Sequence, residues 1–237
     1  MKKASYGIDA PRVVLNLGLF GFAALVIAVL GYDFHIGRVV VQHKSFYLPA
    51  ALLLAETALM IDYSVRAKYR HRDKMLRRID WRGDEQVLDV GTGRGLLLIG
   101  AAKHLTTGHA IGIDIWSKKD LSDNRLERTQ SNIEIEGVAA KCELRNEPAQ
   151  NMTFKDATFD VVLSNLCLHN IPDRAERNRA CAEIARVLKP GGKLVITDLI
   201  NTLDYIREFR KAGLKVDLHG LNPFLRIIYA EKPATSQ

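Results

Sequence analysis

Val87-Leu88-Asp89-Val90-Gly91-Thr92-Gly93-Arg94-Gly95 decides the reading of this 237-residue chain. Val87, Leu88 and Val90 form a short apolar run that reads as a buried strand. Three glycines at alternate positions end it, and Leu96 to Leu105 continues as a helix-forming stretch. Strand, glycine turn and helix make a cradle for a nucleotide. Glycine lets the backbone approach a ligand, and the first N–H groups of a helix point at it. The spacing is G-x-G-x-G rather than the G-x-G-x-x-G of dinucleotide sites, and Asp89 stands two residues before the first glycine. A pyrophosphate would be repelled by that carboxylate, whereas a ligand carrying an ammonium and ribose hydroxyls would use it. Taken alone, the loop also reads as a plain tight turn between strand and helix.

Working outward, strands and helices alternate from Gly83 onward. Strands are predicted at 86–90, 110–114, 141–145, 159–164, 193–198, 214–218 and 225–230. Helices are predicted near 95–105, 119–136, 173–188 and 202–212. Asp173 followed three residues later by Glu176 is a helix start, and Lys189-Pro190-Gly191-Gly192 is a helix stop. This alternation implies an α/β fold with a doubly wound, seven-stranded, mostly parallel sheet whose ligand lies at the carboxyl ends of the strands. The second strand ends at Asp114, an acid placed to take both hydroxyls of a ribose, followed by apolar Ile115 and Trp116. The fourth ends at Ser164-Asn165, with His169 four residues further on. Singly each has a dull reading as turn acid, loop residue or packing; their joint order at strand ends is what carries information.

Those residues, over about 83–237, resemble the class I S-adenosylmethionine-dependent methyltransferases, in the small-molecule branch typified by quinone-biosynthesis methyltransferases. Residues 87–95 match that family's first motif and Asp114 its second. Phe159-Asp160-Val161-Val162 through Leu168-His169-Asn170 is similar to its fourth, and Leu188 to Leu194 to the approach to strand five. The resemblance implies S-adenosylmethionine as cofactor. Asp89, Gly91, Thr92, Gly93 and Gly95 would hold the methionine end, Asp114 the ribose, and Ile115 and Trp116 the adenine face. Ala149 and Asn165 would complete the pocket. The family's adenine-binding Asp is replaced by Pro148, with Glu147 or Gln150 as candidate substitutes. His169 is the candidate catalytic base, weighed against a loop histidine that only shapes the pocket. No metal cluster is expected, and the three cysteines, Cys142, Cys167 and Cys181, read as reduced core thiols.

The N-terminal third is foreign to that pattern. Residues 1–82 hold 13 Lys and Arg against 6 Asp and Glu, so the chain's net charge of +7 resides there and the body is neutral. A neutral body argues against a nucleic-acid partner. Val13 to Leu30 is an uncharged 18-residue run, about 27 Å as a helix and close to a bilayer's ~30 Å core. A cleaved signal is disfavoured, because Asp9 and Pro11 separate the lysines from the apolar run and no small-x-small site follows. Phe46 to Ile61, interrupted by Glu56, reads as a second crossing, an interfacial helix or a helix packed on the body. Arg66, Arg70, Lys74 and Arg78 recur every four residues and would share one helix face toward anionic lipid.

The expected organisation is a membrane-associated helical hairpin over 1–65, a basic juxtamembrane linker over 66–82 and a methyltransferase domain over 83–237. Both termini would face the cytoplasm. The expected function is transfer of a methyl group from S-adenosylmethionine to a small-molecule or lipid acceptor at a membrane. A nucleic-acid or protein methyltransferase, or a non-catalytic cofactor-binding module, are the rivals.

Overall fold

The computed structural model describes residues 3–117, 121–222 and 225–234. The chain divides into two compact units. One comprises Gly7–Lys68 together with 118–123. The other comprises 1–6, Tyr69–Ser117 and Asn124–Gln237.

The first unit is a helical hairpin. α1 (Pro11–Leu30) and α2 (Tyr47–Asp62) are joined through a two-stranded antiparallel ribbon, β1 (Phe34–Ile36) and β2 (Val39–Val41). The helices touch through small residues. A Cβ on Gly21 would lie 3.0 Å from Leu54 Cγ, so glycine is what permits this approach. Ala24, Ala28 and Ala50 are buried in the same unit. The large apolar side chains turn outward: Leu15, Leu19, Phe20 and Phe22 on α1 and Leu48, Leu52 and Leu59 on α2 are all exposed. At the open end, Lys68 Nζ donates to Gly7 O (2.5 Å) and pairs with Asp9 Oδ2 (3.2 Å), and Asp9 N–H donates to Ser64 Oγ (3.0 Å). A five-residue π turn, Tyr63–Ala67, follows α2.

The second unit is the sheet. In chain order its elements are α3 (Lys68–Leu76, of which Tyr69 onward belongs here), β3 (Gln86–Val90), α4 (Leu96–Ala102), β4 (His109–Asp114), α5 (Leu126–Ile135), β5 (Cys142–Asn146), β6 (Phe159–Asn165), α6 (Arg174–Val187), β7 (Leu188–Asp198), α7 (Thr202–Lys211), β8 (Lys215–Asn222) and β9 (Leu225–Glu231). The strand order is β5-β4-β3-β6-β7-β9-β8, with β9 antiparallel to both of its neighbours. The order reverses between β3 and β6, which places the ligand crevice at the ends of those two strands. All seven expected strands are present. Of the helix expected over 119–136, Lys119 and Asp120 lie outside the described residues, and the helix itself begins at Leu126.

Period-two alternation explains the two cores. Leu88, Val162 and Ile196 face α6 and α7, which contribute Ile184, Tyr205 and Phe209. Val87, Val161 and Val195 face the other way, toward Leu98, Ile99 and Ile133 of α4 and α5. α6 starts as expected, the Asp173 side chain accepting from Glu176 N–H at 2.9 Å; such a cap contributes about 1 kcal/mol.

The basic stretch behaves differently from the expected linker. Met75, Leu76 and Ile79 are buried in the second core, and Trp81 stacks on His104 with centroids 5.0 Å apart. The unit boundary therefore falls between Lys68 and Tyr69 rather than at residue 83. The charge pattern concealed an apolar stripe. Nor do the four basic residues share one face: Arg66 sits in the π turn and Arg78 lies beyond the end of α3. The extreme N-terminus also joins the sheet unit. Ala4 and Tyr6 are buried, Ser5 is held by Asn132 and Arg94, and Tyr6 Oη donates to Glu136 (3.1 Å).

Candidate active site

The glycine loop is organised by Asp89. Its Oδ2 accepts from Thr92 Oγ1 (2.8 Å) and from Leu98 N–H (2.9 Å), fastening strand, turn and helix together. The carboxyl is buried, and that desolvation, reinforced by the charge of Asp114, raises its pKa to about 7 against the two hydrogen bonds that favour ionisation. Gly91 has φ +73°, and a Cβ there would sit 2.1 Å from Cys167 Sγ. The backbone thus passes the β6–α6 loop more closely than any side chain would permit.

Asp114 ends β4. Its Oδ2 accepts from Gly93 N–H (2.7 Å) and its Oδ1 from Trp116 N–H (2.6 Å). Ribose hydroxyls would be added to these bonds, since each carboxylate oxygen accepts more than one donor. The Trp116 indole N–H points at Gly93 O and Thr129 Oγ1, both at 3.2 Å, which fixes the ring beside the glycine loop. Ile115 is exposed. Ala149 is buried in the first core. Glu147 is committed to its own loop, accepting from Thr153 N–H, whereas Gln150 is half-buried.

Asp89, Gly91, Thr92 and Asn165 come together around a cavity of about 50 Å³, with Leu96 and Leu97. That is room for a few waters, hence for the amino-acid end of a ligand rather than a whole nucleoside. The remaining lining, Arg72 and Met75, comes from α3 and was not anticipated. Arg72 donates to Asp73 Oδ1 (2.8 Å) and stands over the Tyr69 ring.

His71, on the same helix, lies beside Asn165. Burial, aided by Lys74, pushes the His71 pKa down to about 4, with Asn165 acting in the opposite sense. His71 Nε2 and Asn165 Oδ1 are both buried without a hydrogen-bond partner. Asp198 was missed as well. It ends β7 with no exposure, and His169 Nδ1 lies 2.5 Å from its Oδ1. The rule applied to the ends of β3, β4 and β6 would have found it at the end of β7. Among the described residues no group of His, Cys, Asp and Glu could hold a metal ion.

This geometry agrees with what the chain is similar to. Residues 88–196 match the methyltransferase domain family. The chain carries a class I S-adenosylmethionine-dependent methyltransferase domain. S-adenosylmethionine is its cofactor. Over 129 residues the chain is 37% identical to a demethylmenaquinone methyltransferase of Lactiplantibacillus plantarum, covering 54% of this chain and 51% of that one. It is 32% identical over 121 residues to a sterol 4-C-methyltransferase of Caenorhabditis elegans, covering 51% and 33%. The chain thus spans about half of one and a third of the other of these curated relatives. Among solved structures, a methyltransferase from Bacillus halodurans shares the fold with a TM-score of 0.56 at 17% identity, covering 69% of this chain and 99% of that one. The methyltransferase domain also superimposes on a Haemonchus contortus phosphoethanolamine N-methyltransferase in complex with S-adenosylmethionine. The TM-score is 0.58 at 19% identity, with 69% and 52% covered.

Proposed function

We propose that this chain is a membrane-held enzyme that moves the methyl group of S-adenosylmethionine onto a small or lipid-like acceptor, with its catalytic unit in the cytoplasm. One observation carries the membrane part. Residues 4–6 and the chain from Tyr69 onward are packed in one folded unit, while the hairpin between them turns its large apolar side chains outward. A hairpin entering a bilayer from that unit must return to the same side, so it crosses twice or lies in the interface. α1, with 20 residues, is about 30 Å long and matches the hydrocarbon core. Packing through Gly21 and alanines, with leucines outward, suits lipid as the surrounding solvent. Exposed Glu56 on α2 opposes insertion by about 3 kcal/mol, which the apolar residues around it offset. Burial of Ala4 and Tyr6 supports retention of the N-terminus over its removal with a leader.

The site fits the cofactor. A desolvated carboxyl at Asp89, facing a cavity sized for an amino-acid end, calls for a cation such as the methionine ammonium. Asn165, beside His71, lines the same space. Asp114 and Ile115 would take ribose and adenine. The cofactor supplies a methyl group on a sulfonium, already electrophilic, so the protein's task is alignment and exclusion of water. His169 would take the acceptor's proton. The demethylmenaquinone and sterol methyltransferases among the relatives support a hydrophobic acceptor.

The test exploits the hairpin base. Asp9 and Ser64 are hydrogen-bonded, so a short Gly/Ser linker can replace residues 11–62 while both packed ends are kept. Label transfer to a membrane extract should be lost selectively when the extract is presented in vesicles and retained when it is dispersed in detergent. Equal rates in vesicles would remove the membrane from the account.

A further inference from the structure

We infer that the hairpin pairs with a second copy of this chain, Asn16 of each copy hydrogen-bonding to Glu56 of the other. The inference rests on the membrane-held reading above, with both helices crossing, and names what covers one side of the hairpin.

Few side chains in the two spans can form hydrogen bonds. Arg12, Tyr47 and Asp62 stand within two residues of a helix end. Thr57 is satisfied within its own helix, donating to Leu53 O at 2.8 Å. Asn16 and Glu56 are left. Both are exposed, and neither has a hydrogen-bond or ion-pair partner among the described residues. Val13 to Leu30 and the whole of α2 contain no Lys, Arg or His, so no cation of this chain lies at their depth.

The two residues match in depth. Gly18 packs against Thr57, where a Cβ would lie 3.6 Å from Cγ2. Asn16 is five residues past Pro11 and Glu56 six before Asp62, about 8 and 9 Å from the base of the hairpin. Side chains with one and two methylenes are too short to reach interfacial water from there. They also match in direction. The packed stripe runs through Val14, Gly21, Ala24 and Ala28 on α1, and through Ala50 with Leu53, Leu54 and Thr57 on α2. By helical spacing, Asn16 and Glu56 each stand about a third of a turn back from it. Antiparallel helices seen from one end wind in opposite senses, so these equal offsets fall on the same side of the hairpin.

Hydrocarbon gives neither group a partner, and an unpaired polar group there is costly. A second hairpin supplies both. A twofold axis along the membrane normal preserves depth and sets α1 of one copy against α2 of the other, so both pairs form together. The Asn16 carboxamide N–H donates, and the Glu56 carboxyl accepts in either protonation state. The match is self-complementary, which a second copy requires and a different partner does not.

The experiment uses the full chain in vesicles. Asn16→Cys and Glu56→Cys molecules are mixed and oxidised with copper phenanthroline. A mixed dimer keeps one intact Asn16–Glu56 pair and places the two new thiols together. A disulfide-linked species of twice the chain mass should therefore form on mixing, and far less with either variant alone, with wild type, or with Leu30→Cys in place of Asn16→Cys. In micelles, energy transfer between labelled copies should show Glu56→Leu and Asn16→Leu weakening association roughly tenfold or more, with Glu56→Gln within a fewfold of wild type. Leucine favours insertion, so that loss cannot come from a lost span. A chain that resists alkaline extraction from vesicles yet stays monomeric overturns the pairing and leaves the membrane-held reading standing. So do leucine variants that associate as wild type does. A chain stripped from vesicles by alkali overturns both. Loss of label transfer in Glu56→Leu, with no self-association in wild type, would give the carboxyl to the acceptor and also overturn the pairing.

Discussion

Asp89 is ionised at a cost in the ligand-free protein. Its pKa in the fold is about 7 against an ordinary 3.8, so the folded state holds a proton that the unfolded chain has already released above pH 4. Stability contributed at this position is therefore present at low pH and is lost as pH rises from about 4 through 7. Asp89→Asn should raise the melting temperature of the ligand-free protein at pH 7.5 by several degrees, corresponding to up to a few kcal/mol, while weakening S-adenosylmethionine binding at least tenfold. Scanning calorimetry and titration calorimetry on one preparation check both halves. Binding by the wild type near neutral pH should release a proton, visible as a buffer-dependent heat. Asp114→Ala should cost roughly ten- to hundredfold in cofactor affinity, since charge-assisted bonds to two ribose hydroxyls are worth ~1.5–3 kcal/mol. An unchanged dissociation constant would remove the ribose assignment.

The element that concentrates the site is the glycine turn between β3 and α4. Gly91→Ala imposes two penalties, a Cβ overlapping Cys167 Sγ and an L-residue held at φ +73°. The double variant Gly91→Ala with Cys167→Gly, which removes both the Sγ and the Cβ that the new methyl would overlap, should recover the steric part and leave about 1 kcal/mol of backbone strain relative to Cys167→Gly alone. Thermal denaturation of wild type, both single variants and the double variant measures this. The turn was legible in the sequence because three glycines and an acid leave few alternatives. The seven strands were legible too, because a sheet buried on both faces demands nearly continuous apolar runs such as Val161-Val162-Leu163. α3 was not. Its charges outnumber its apolar residues, and the information that Met75 and Leu76 point inward while Arg70 points outward lies in the π turn that resets the helix register. His71 and Arg72 were hidden with it. Asp198 was legible as a strand-end acid, but its meeting with His169, 29 residues away along the chain, was not, because only the fold brings the two together.

At the scale of the whole molecule, the chain leaves the catalytic unit after Tyr6 and re-enters it at Tyr69. If the hairpin crosses twice, the ribbon between α1 and α2 must lie on the far side of the membrane. Arg38→Cys, at the ribbon's turn, should then react with a membrane-impermeant thiol reagent added outside intact cells, while Ser117→Cys should not. Labelling of neither would replace two crossings by an interfacial helix, and labelling of both would overturn the cytoplasmic placement of the catalytic unit. The most direct measurement of the central claim is simpler. Purified full-length protein in vesicles made from a membrane extract is incubated with methyl-labelled S-adenosylmethionine, and the label is followed into organic-extractable, aqueous, protein and nucleic-acid fractions. The account predicts label in an organic-extractable small molecule, abolished by Asp114→Ala. Label in protein or nucleic acid, or tight cofactor binding with no transfer to any fraction, would contradict it.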